Sequence, residues 1–236
     1  MTGSTLHLKV TLTAAAVLAL ACGNGLGPIE TPPLPTSLVT AVTNPYYPLT
    51  PGTITVFQAQ TADGLEIDTV EVLAGTKTVH GFVATEVHDR VYVAGSLSED
   101  TYDWFAQDSA GNVWYLGEDT KQYANGQVIG TAGTWQWGVH GATPGIVMWG
   151  DPAAAMNKLY RQEFDRGAAE DLAKVVAVNQ TVTVLYGTLT ACVKTEEWNA
   201  LEPGPHDHKY YCPQLGTVLE VAGGSGERSE LKTVTP

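Results

Sequence analysis

His206 and His208, flanking Asp207, are the most metal-like pair in the chain. In an extended strand side chains alternate between faces, so both imidazoles would leave one face about 6–7 Å apart along the chain, within reach of one cation. His88, Asp103 or Glu202 could supply a third ligand, and a divalent ion held there would activate water for metal-assisted hydrolysis. A His-x-His pair without a fixed third spacing also arises from exposed histidines at a strand entrance, so the pair defines a candidate and no more.

Three further groupings could line a binding site. In Tyr102-Asp103-Trp104-Phe105-Ala106-Gln107 strand alternation puts Asp103, Phe105 and Gln107 on one face and Tyr102, Trp104 and Ala106 on the other. The first face presents a carboxylate beside an amide, suited to a pocket wall or simply to a water-facing sheet surface. In Tyr160-Arg161-Gln162-Glu163-Phe164-Asp165-Arg166 the same alternation pairs Arg161 with Glu163, as a polar-ligand site, a catalytic pair or a structural ion pair of about 0–1 kcal/mol. Trp135 and Trp137 also share a face and could stack on a sugar or an apolar ligand, or pack in the core. The ligand-binding set is therefore Trp104, Trp114, Trp135 and Tyr210 with Asp103, Arg161 and Glu163, on a concave sheet that takes a small, hydrophobic or cationic ligand. No catalytic residue is assigned, because Asp108–Asn112 lacks the ligand spacing of a calcium loop and the chain has no Gly-x-Ser-x-Gly elbow, phosphate loop or His-Glu-x-x-His helix.

The thiol of Cys22 has a separate chemistry. Lys9 is the only charge before an apolar run from Val10 to Ala21 that ends in small residues. That is the layout of an exported leader, and the run falls short of the roughly 20 apolar residues a membrane-spanning helix needs. Leu18-Ala19-Leu20-Ala21-Cys22-Gly23 resembles a lipobox, in which the cysteine is acylated before cleavage. The organisation that follows is a signal peptide over 1–21, a lipidated Cys22 with a Gly/Pro/Thr tether over 22–36, and a globular domain over 37–236. Acyl chains such as palmitate contribute about 0.8 kcal/mol per buried methylene, so two or more make a stable membrane anchor. This places the domain in the periplasm or outside the cell, held to the outer membrane or cell surface.

Loss of the leader removes Lys9 from the 12 Lys and Arg and none of the 25 Asp and Glu, leaving 11 against 25 and a formal charge of −14. Such a surface repels nucleic acid and anionic lipid and draws cations. With Cys22 committed to the anchor, Cys192 and Cys212 remain. In an oxidising compartment such a pair forms a disulfide worth about 3 kcal/mol; buried free thiols or thiolate metal ligands are the alternatives.

Strand signals dominate. Thr53–Phe57, Thr69–Leu73, Arg90–Val93, Asn112–Leu116 and Thr181–Tyr186 are β-branched or aromatic runs separated by turn residues, the pattern of an antiparallel all-β domain, a sandwich or half-open barrel. Asp108-Ser109-Ala110-Gly111-Asn112 predicts a hairpin turn pairing Tyr102–Asp108 with Val113–Glu118. One short helix is expected over Gly167–Lys174, where good helix formers cluster.

The blocks Asp100-Thr101-Tyr102-Asp103-Trp104-Phe105-Ala106-Gln107-Asp108 and Gly111-Asn112-Val113-Trp114-Tyr115-Leu116-Gly117-Glu118-Asp119-Thr120, with Tyr160-Arg161-Gln162-Glu163 and Lys209-Tyr210-Tyr211, resemble a group of uncharacterised exported bacterial lipoproteins. The resemblance covers most of the mature chain. It implies export and a compact β-sheet domain, and it carries over no reaction. Three functional classes follow: a ligand-binding lipoprotein, a metal-assisted hydrolase using the His-x-His pair, and a structural protein of the envelope.

Overall fold

Alternating β-branched residues, with glycine where the backbone must reverse, build strands longer than the sequence runs that announce them. The computed structural model describes residues 28–236; the leader, Cys22 and the first tether residues lie outside that range. In chain order the strands are β1 (Ile29–Glu30), β2 (Ile54–Thr61), β3 (Gly64–Val79), β4 (Phe82–Val93), β5 (Ser96–Gln107), β6 (Val113–Ala124), β7 (Gln127–Gly130) and β8 (Trp135–Gln136). They continue as β9 (Thr143–Met148), β10 (Leu159–Arg161), β11 (Glu163–Phe164), β12 (Asp171–Val184), β13 (Gly187–Asn199), β14 (Asp207–Cys212), β15 (Gly216–Val221) and β16 (Arg228–Thr235).

Turn chemistry fixes the register of the central meander. His80-Gly81, Ala94-Gly95 and Asn125-Gly126 each hold positive φ at both positions and join β3 to β4, β4 to β5 and β6 to β7 in two-residue turns. Such turns match the right-handed strand twist. The expected 108–112 hairpin forms between β5 and β6, where Asp108 Oδ1 accepts from the amides of Ala110 (2.9 Å) and Asn112 (3.0 Å). Asp108 Oδ2 accepts from Asn112 Nδ2 (2.8 Å) and the Trp114 indole (2.9 Å).

The strands form one strongly curled sheet in the order β1-β10-β12-β13-β14-β15-β16-β2-β3-β4-β5-β6-β9-β11, with β7 and β8 pairing to β6. The expected half-open barrel is present, and one segment bridges its open side. Leu159–Arg161 pairs with Leu172–Lys174 of β12, and after Gln162 the same chain pairs Glu163 and Phe164 with Pro144 and Thr143 of β9. Gly145 sits at this seam, so close to the backbone of Arg161 and Gln162 that no side chain would fit.

No helix occurs among the described residues. The expected helix at Gly167–Lys174 is a turn that runs into β12, with Leu172 opposite Trp198 and Ala173 opposite Glu197. Leu172, Ala173 and Val175 are buried by this pairing, and the β-branched run that follows extends the strand, so tertiary burial overrides a weak local preference.

Apolar packing falls on both sides of the curled sheet. Outside, Trp104, Trp114, Trp135 and Trp137 pack with Leu116 and Ile146 beneath the 131–142 segment. Inside, Phe105, Val72, Val87, Val147 and Tyr211 meet Val42, Tyr47 and Leu49 from the segment before β2. Cys192 and Cys212, on neighbouring strands with Cα atoms 4.2 Å apart, form a disulfide within a third cluster that includes Phe57, Val218 and Leu231. The expected disulfide is therefore made, and neither cysteine is left as a thiol ligand.

Candidate functional site

The concave face holds a half-open cavity of about 420 Å³ to which β2–β6, β9, β11–β16 and the segment before β2 all contribute. Tyr47 lies across one end. Its ring packs against Phe105 of β5 at 5.4 Å and Tyr211 of β14 at 6.2 Å, two strands on opposite sides of the barrel. The Pro45 carbonyl accepts from the Gln214 amide (2.7 Å), fixing this crossing segment to the far wall.

Strand alternation turns both apolar and acidic side chains into the lumen. On β3, Val72 and Val70 come first, then Asp68; on β4, Val87 precedes Asp89; on β5, Phe105 precedes Asp103; on β6, Tyr115 precedes Glu118. The register sets Val70 opposite Asp89 and Val87 opposite Asp103, so apolar side chains and carboxyls adjoin on the same wall. Glu163, Asp171, Glu197 and Glu220 complete the acidic lining, in which Lys209 is the one cationic side chain.

Hydroxyls and Lys209 hold these carboxyls in place. Tyr115 donates a short hydrogen bond to Asp103 Oδ1. Glu118 Oε2 accepts from Thr120 (2.8 Å), and Glu197 Oε1 from Thr195 (2.6 Å) and Tyr211 (2.8 Å). Lys209 Nζ lies 3.4 Å from Glu197 and 3.6 Å from Glu220. Buried Asp171 Oδ1 accepts no hydrogen bond, Glu163 has the Trp135 indole beside it, and Asp68 meets Asp89 as a carboxyl pair.

Burial is the first cause of the electrostatics here, because removing carboxylates from water disfavours their charged form. It raises Asp103 to about 7, aided by the charge of Asp89 and opposed by Tyr115 and Lys209. Asp68, Asp171 and Glu220 likewise rise to about 7, chiefly by burial. Burial and neighbouring acids push Asp89, Glu118 and Glu163 well above the usual carboxylate range. Burial alone would lower the Lys209 ammonium, but Glu220 and Glu197 outweigh it and hold the group well above an ordinary lysine.

Of the residues singled out in the sequence, the structure brings Asp103 and Glu163 together on the lumen wall. Arg161 and Glu163 do not pair: Arg161 lies 3.9 Å from Glu170 and over the Phe164 ring at 4.2 Å, while Glu163 faces the cavity. Trp104 and Trp114 pack in the outer cluster, donating to Glu86 (2.9 Å) and Asp108 (2.9 Å). Trp135 packs there too and reaches inward as an edge against the Tyr115 ring at 5.5 Å, with its indole beside Glu163. Tyr210 carries Lys194 over its ring at 5.5 Å and does not line the cavity.

The expected metal set does not assemble. His206 bonds to Glu196 (2.9 Å) and stacks on Trp198 at 4.1 Å. His88 bonds to Asp100 (2.8 Å) and stacks on Tyr102 at 4.2 Å, on β4, which β15, β16, β2 and β3 separate from the strand of His208. Among the described residues no group of three or more His, Cys, Asp or Glu is placed to hold a metal ion. The proposed ligand His88 is thus withdrawn from His206 and His208 by the width of the sheet, each imidazole having a local carboxylate or aromatic neighbour instead.

Most of the lumen carboxyls were missed in the sequence, although a signal exists. Acids recur at period two next to apolar residues of the same face, as in Glu66-x-Asp68-x-Val70-x-Val72 and Glu99-x-Thr101-x-Asp103-x-Phe105. Read singly, each looks like a water-facing strand; only the closing curl shows that this face points inward.

Comparison with other proteins adds little to this geometry. No protein-family model matches the chain, and no curated protein matches it. One solved structure, a "putative lipoprotein" of Parabacteroides distasonis ATCC 8503, is similar at 12% identity and a TM-score of 0.37, over 80% of this chain and 98% of that one. A likeness that distant has no bearing on function.

Proposed function

We propose that this protein is an extracytoplasmic lipoprotein that binds a small molecule inside its barrel-like domain. One observation carries the reading: a half-open cavity of about 420 Å³ walled by strands from around the sheet, where apolar side chains lie beside buried, partly unpartnered carboxyls. A polypeptide core of this size is ordinarily filled, because voids forfeit contacts and buried polar groups without partners cost roughly 1–3 kcal/mol each. The volume falls within the range of small-molecule sites, and at ~30 Å³ for a water in the liquid it holds a ligand of roughly a dozen non-hydrogen atoms. The leader and Cys22 support the anchor, and the disulfide suits an oxidising compartment.

Titrating 2-phenylethylamine, 2-phenylethanol and 3-phenylpropanoate into protein with labelled valine methyls tests the site. Binding in the lumen shifts the signals of Val70, Val72, Val87 and Val147; if none of the three probes moves them, the reading fails. Cys22→Ser tests the anchor independently, because the variant is expected to leave the membrane fraction, and retention there would refute lipid attachment.

A further inference from the structure

Eight carboxyls line the lumen against the single ammonium of Lys209, which already lies between Glu197 and Glu220. The remaining acceptors face a cavity with no cation of its own. We propose that the lumen selects small organic cations, molecules with a primary ammonium or similar N–H-rich cationic head on an apolar body of about the cavity's size. The proposal rests on the lumen being the ligand site and adds the chemical class of the ligand.

The unpartnered atoms point to a donor. Glu163 is 2% exposed and has only the Trp135 indole beside it as a donor; Asp171 Oδ1 has none, and Asp68 and Asp89 meet only as a carboxyl pair. Further acceptors from a ligand would leave such oxygens unsatisfied, whereas an ammonium brings three donors and a charge. Charge-assisted hydrogen bonds are roughly twice as strong as neutral ones, and the low dielectric of an enclosed site magnifies both the gain for a cation and the penalty for an anion. A metal ion fits less well, since among the described residues no three such side chains converge on one point. The carboxyls spread instead around a space wider than an ion. The apolar body follows from Tyr47, Val72, Val87, Phe105 and Val147, which share the cavity wall with the carboxyls.

Recognition of this kind depends on pH, because a protonated carboxyl offers the cation no charge. Asp103 faces Asp89, Glu118 and Lys209 as well as the Tyr115 hydroxyl. Asp68 faces Asp89, Glu66 and Glu220, and is influenced by Glu99. Glu163 faces Asp171, Glu118 and Asp103, with the Trp135 indole beside it; Asp171 in turn feels Lys209, Glu197, Glu202 and Asp207. Acids outnumber cations around every one of these groups. Raising pH therefore charges the lumen negatively and strengthens capture of a ligand that remains cationic.

Calorimetric titration of the full-length protein in detergent with the three phenyl probes tests the proposal. At pH 8, 2-phenylethylamine is expected to bind at least tenfold more tightly than its neutral isostere 2-phenylethanol, with 3-phenylpropanoate weakest. At pH 5 the amine is expected to lose most of that advantage while the alcohol changes little. Glu163→Gln should weaken the amine by about tenfold and leave the alcohol unaffected; the wild-type ranking stands as a test even if that variant does not fold. Equal or tighter binding of the alcohol or the carboxylate would overturn the cation proposal and leave the lumen as a site. Displacement of the amine by calcium or magnesium chloride at stoichiometric concentration would also overturn it, in favour of a metal. Failure of every probe to bind would remove the ligand site itself.

Discussion

Lys209 is the residue on which the charge arrangement of the lumen turns. Its ammonium lies within ion-pair reach of Glu197 and Glu220; removing one partner of a fully buried pair costs about 3–5 kcal/mol, and with the lysine side chain 32% exposed roughly half of that is expected here. Lys209→Met keeps most of the stem but leaves the two carboxyls to repel each other. Urea denaturation should show the variant destabilised by about that amount at pH 8 and by much less at pH 5, where Glu220, raised to about 7 by burial, is protonated. An equal loss at both pH values would mean that the lysine contributes packing and not charge. The sequence displays this site poorly at the scale of single residues. Asp103 and Glu163 could be singled out because each lies in a block rich in aromatic or charged neighbours, whereas Asp89 and Glu220 sit among ordinary strand residues and acquire meaning only from the strands facing them.

Elements repeat the lesson with the opposite balance, since local signals mark the strands well and the closure badly. The β5–β6 hairpin was readable because Asp108 and Gly111 carry their turn chemistry locally. β12 was misread at its start because Ala168, Ala169 and Leu172 favour a helix in isolation, and the pairing with Trp198 and Glu197 that decides otherwise lies more than 20 residues away. The seam at Leu159–Phe164 depends on such distant partners as well, and Gly145 is its most exacting residue. A Cβ at Gly145 would lie 2.5 Å from the Gln162 carbonyl carbon and nearer still to the Arg161 carbonyl oxygen, both backbone atoms that cannot step aside. Gly145→Ala should therefore destabilise by at least 2–3 kcal/mol and speed hydrogen exchange in β9 and β11, while Gly75→Ala, with nothing within 4 Å of the added methyl, should be neutral or slightly stabilising. Similar stability of the two variants would show that the seam can open without cost. The disulfide restrains a different part of the sheet. It closes a loop with a sequence separation of 20, so Cys192→Ala with Cys212→Ala should lower unfolding free energy by about 3 kcal/mol, read from the urea midpoint. An unchanged midpoint would assign the stability of that cluster to packing alone.

The whole molecule keeps acids on both surfaces of one curled sheet, and the two sets behave differently. On the outer face Glu71–Arg90, Asp119–Lys121 and Glu196–Lys174 form pairs in water, where such pairs are worth little; a lipid-facing band would exclude them, so the outer wall is suited to an aqueous setting. Inside, Asp68, Asp103, Asp171 and Glu220 keep their protons up to about 7, against 3.8 for aspartate and 4.5 for glutamate in the unfolded reference. Between those limits the folded protein binds more protons than the unfolded chain, and stability must fall as pH rises. A shift of about 3 units corresponds to about 4 kcal/mol for one such group, and mutual repulsion keeps the contributions from simply adding. Without ligand, the melting temperature is therefore expected to be highest near pH 4–5 and to decline steadily through pH 8. Repulsion among surface acids produces a decline of the same sign, but about 0.5 M salt screens it while leaving the enclosed groups largely unaffected. The decline should survive that salt and should flatten in Asp103→Asn, whose amide has no proton to lose. A melting temperature that rises or stays level from pH 5 to 8 in high salt would mean that the lumen carboxyls are hydrated and ionised in the folded state throughout, and the loss of amine binding expected at pH 5 would have no basis.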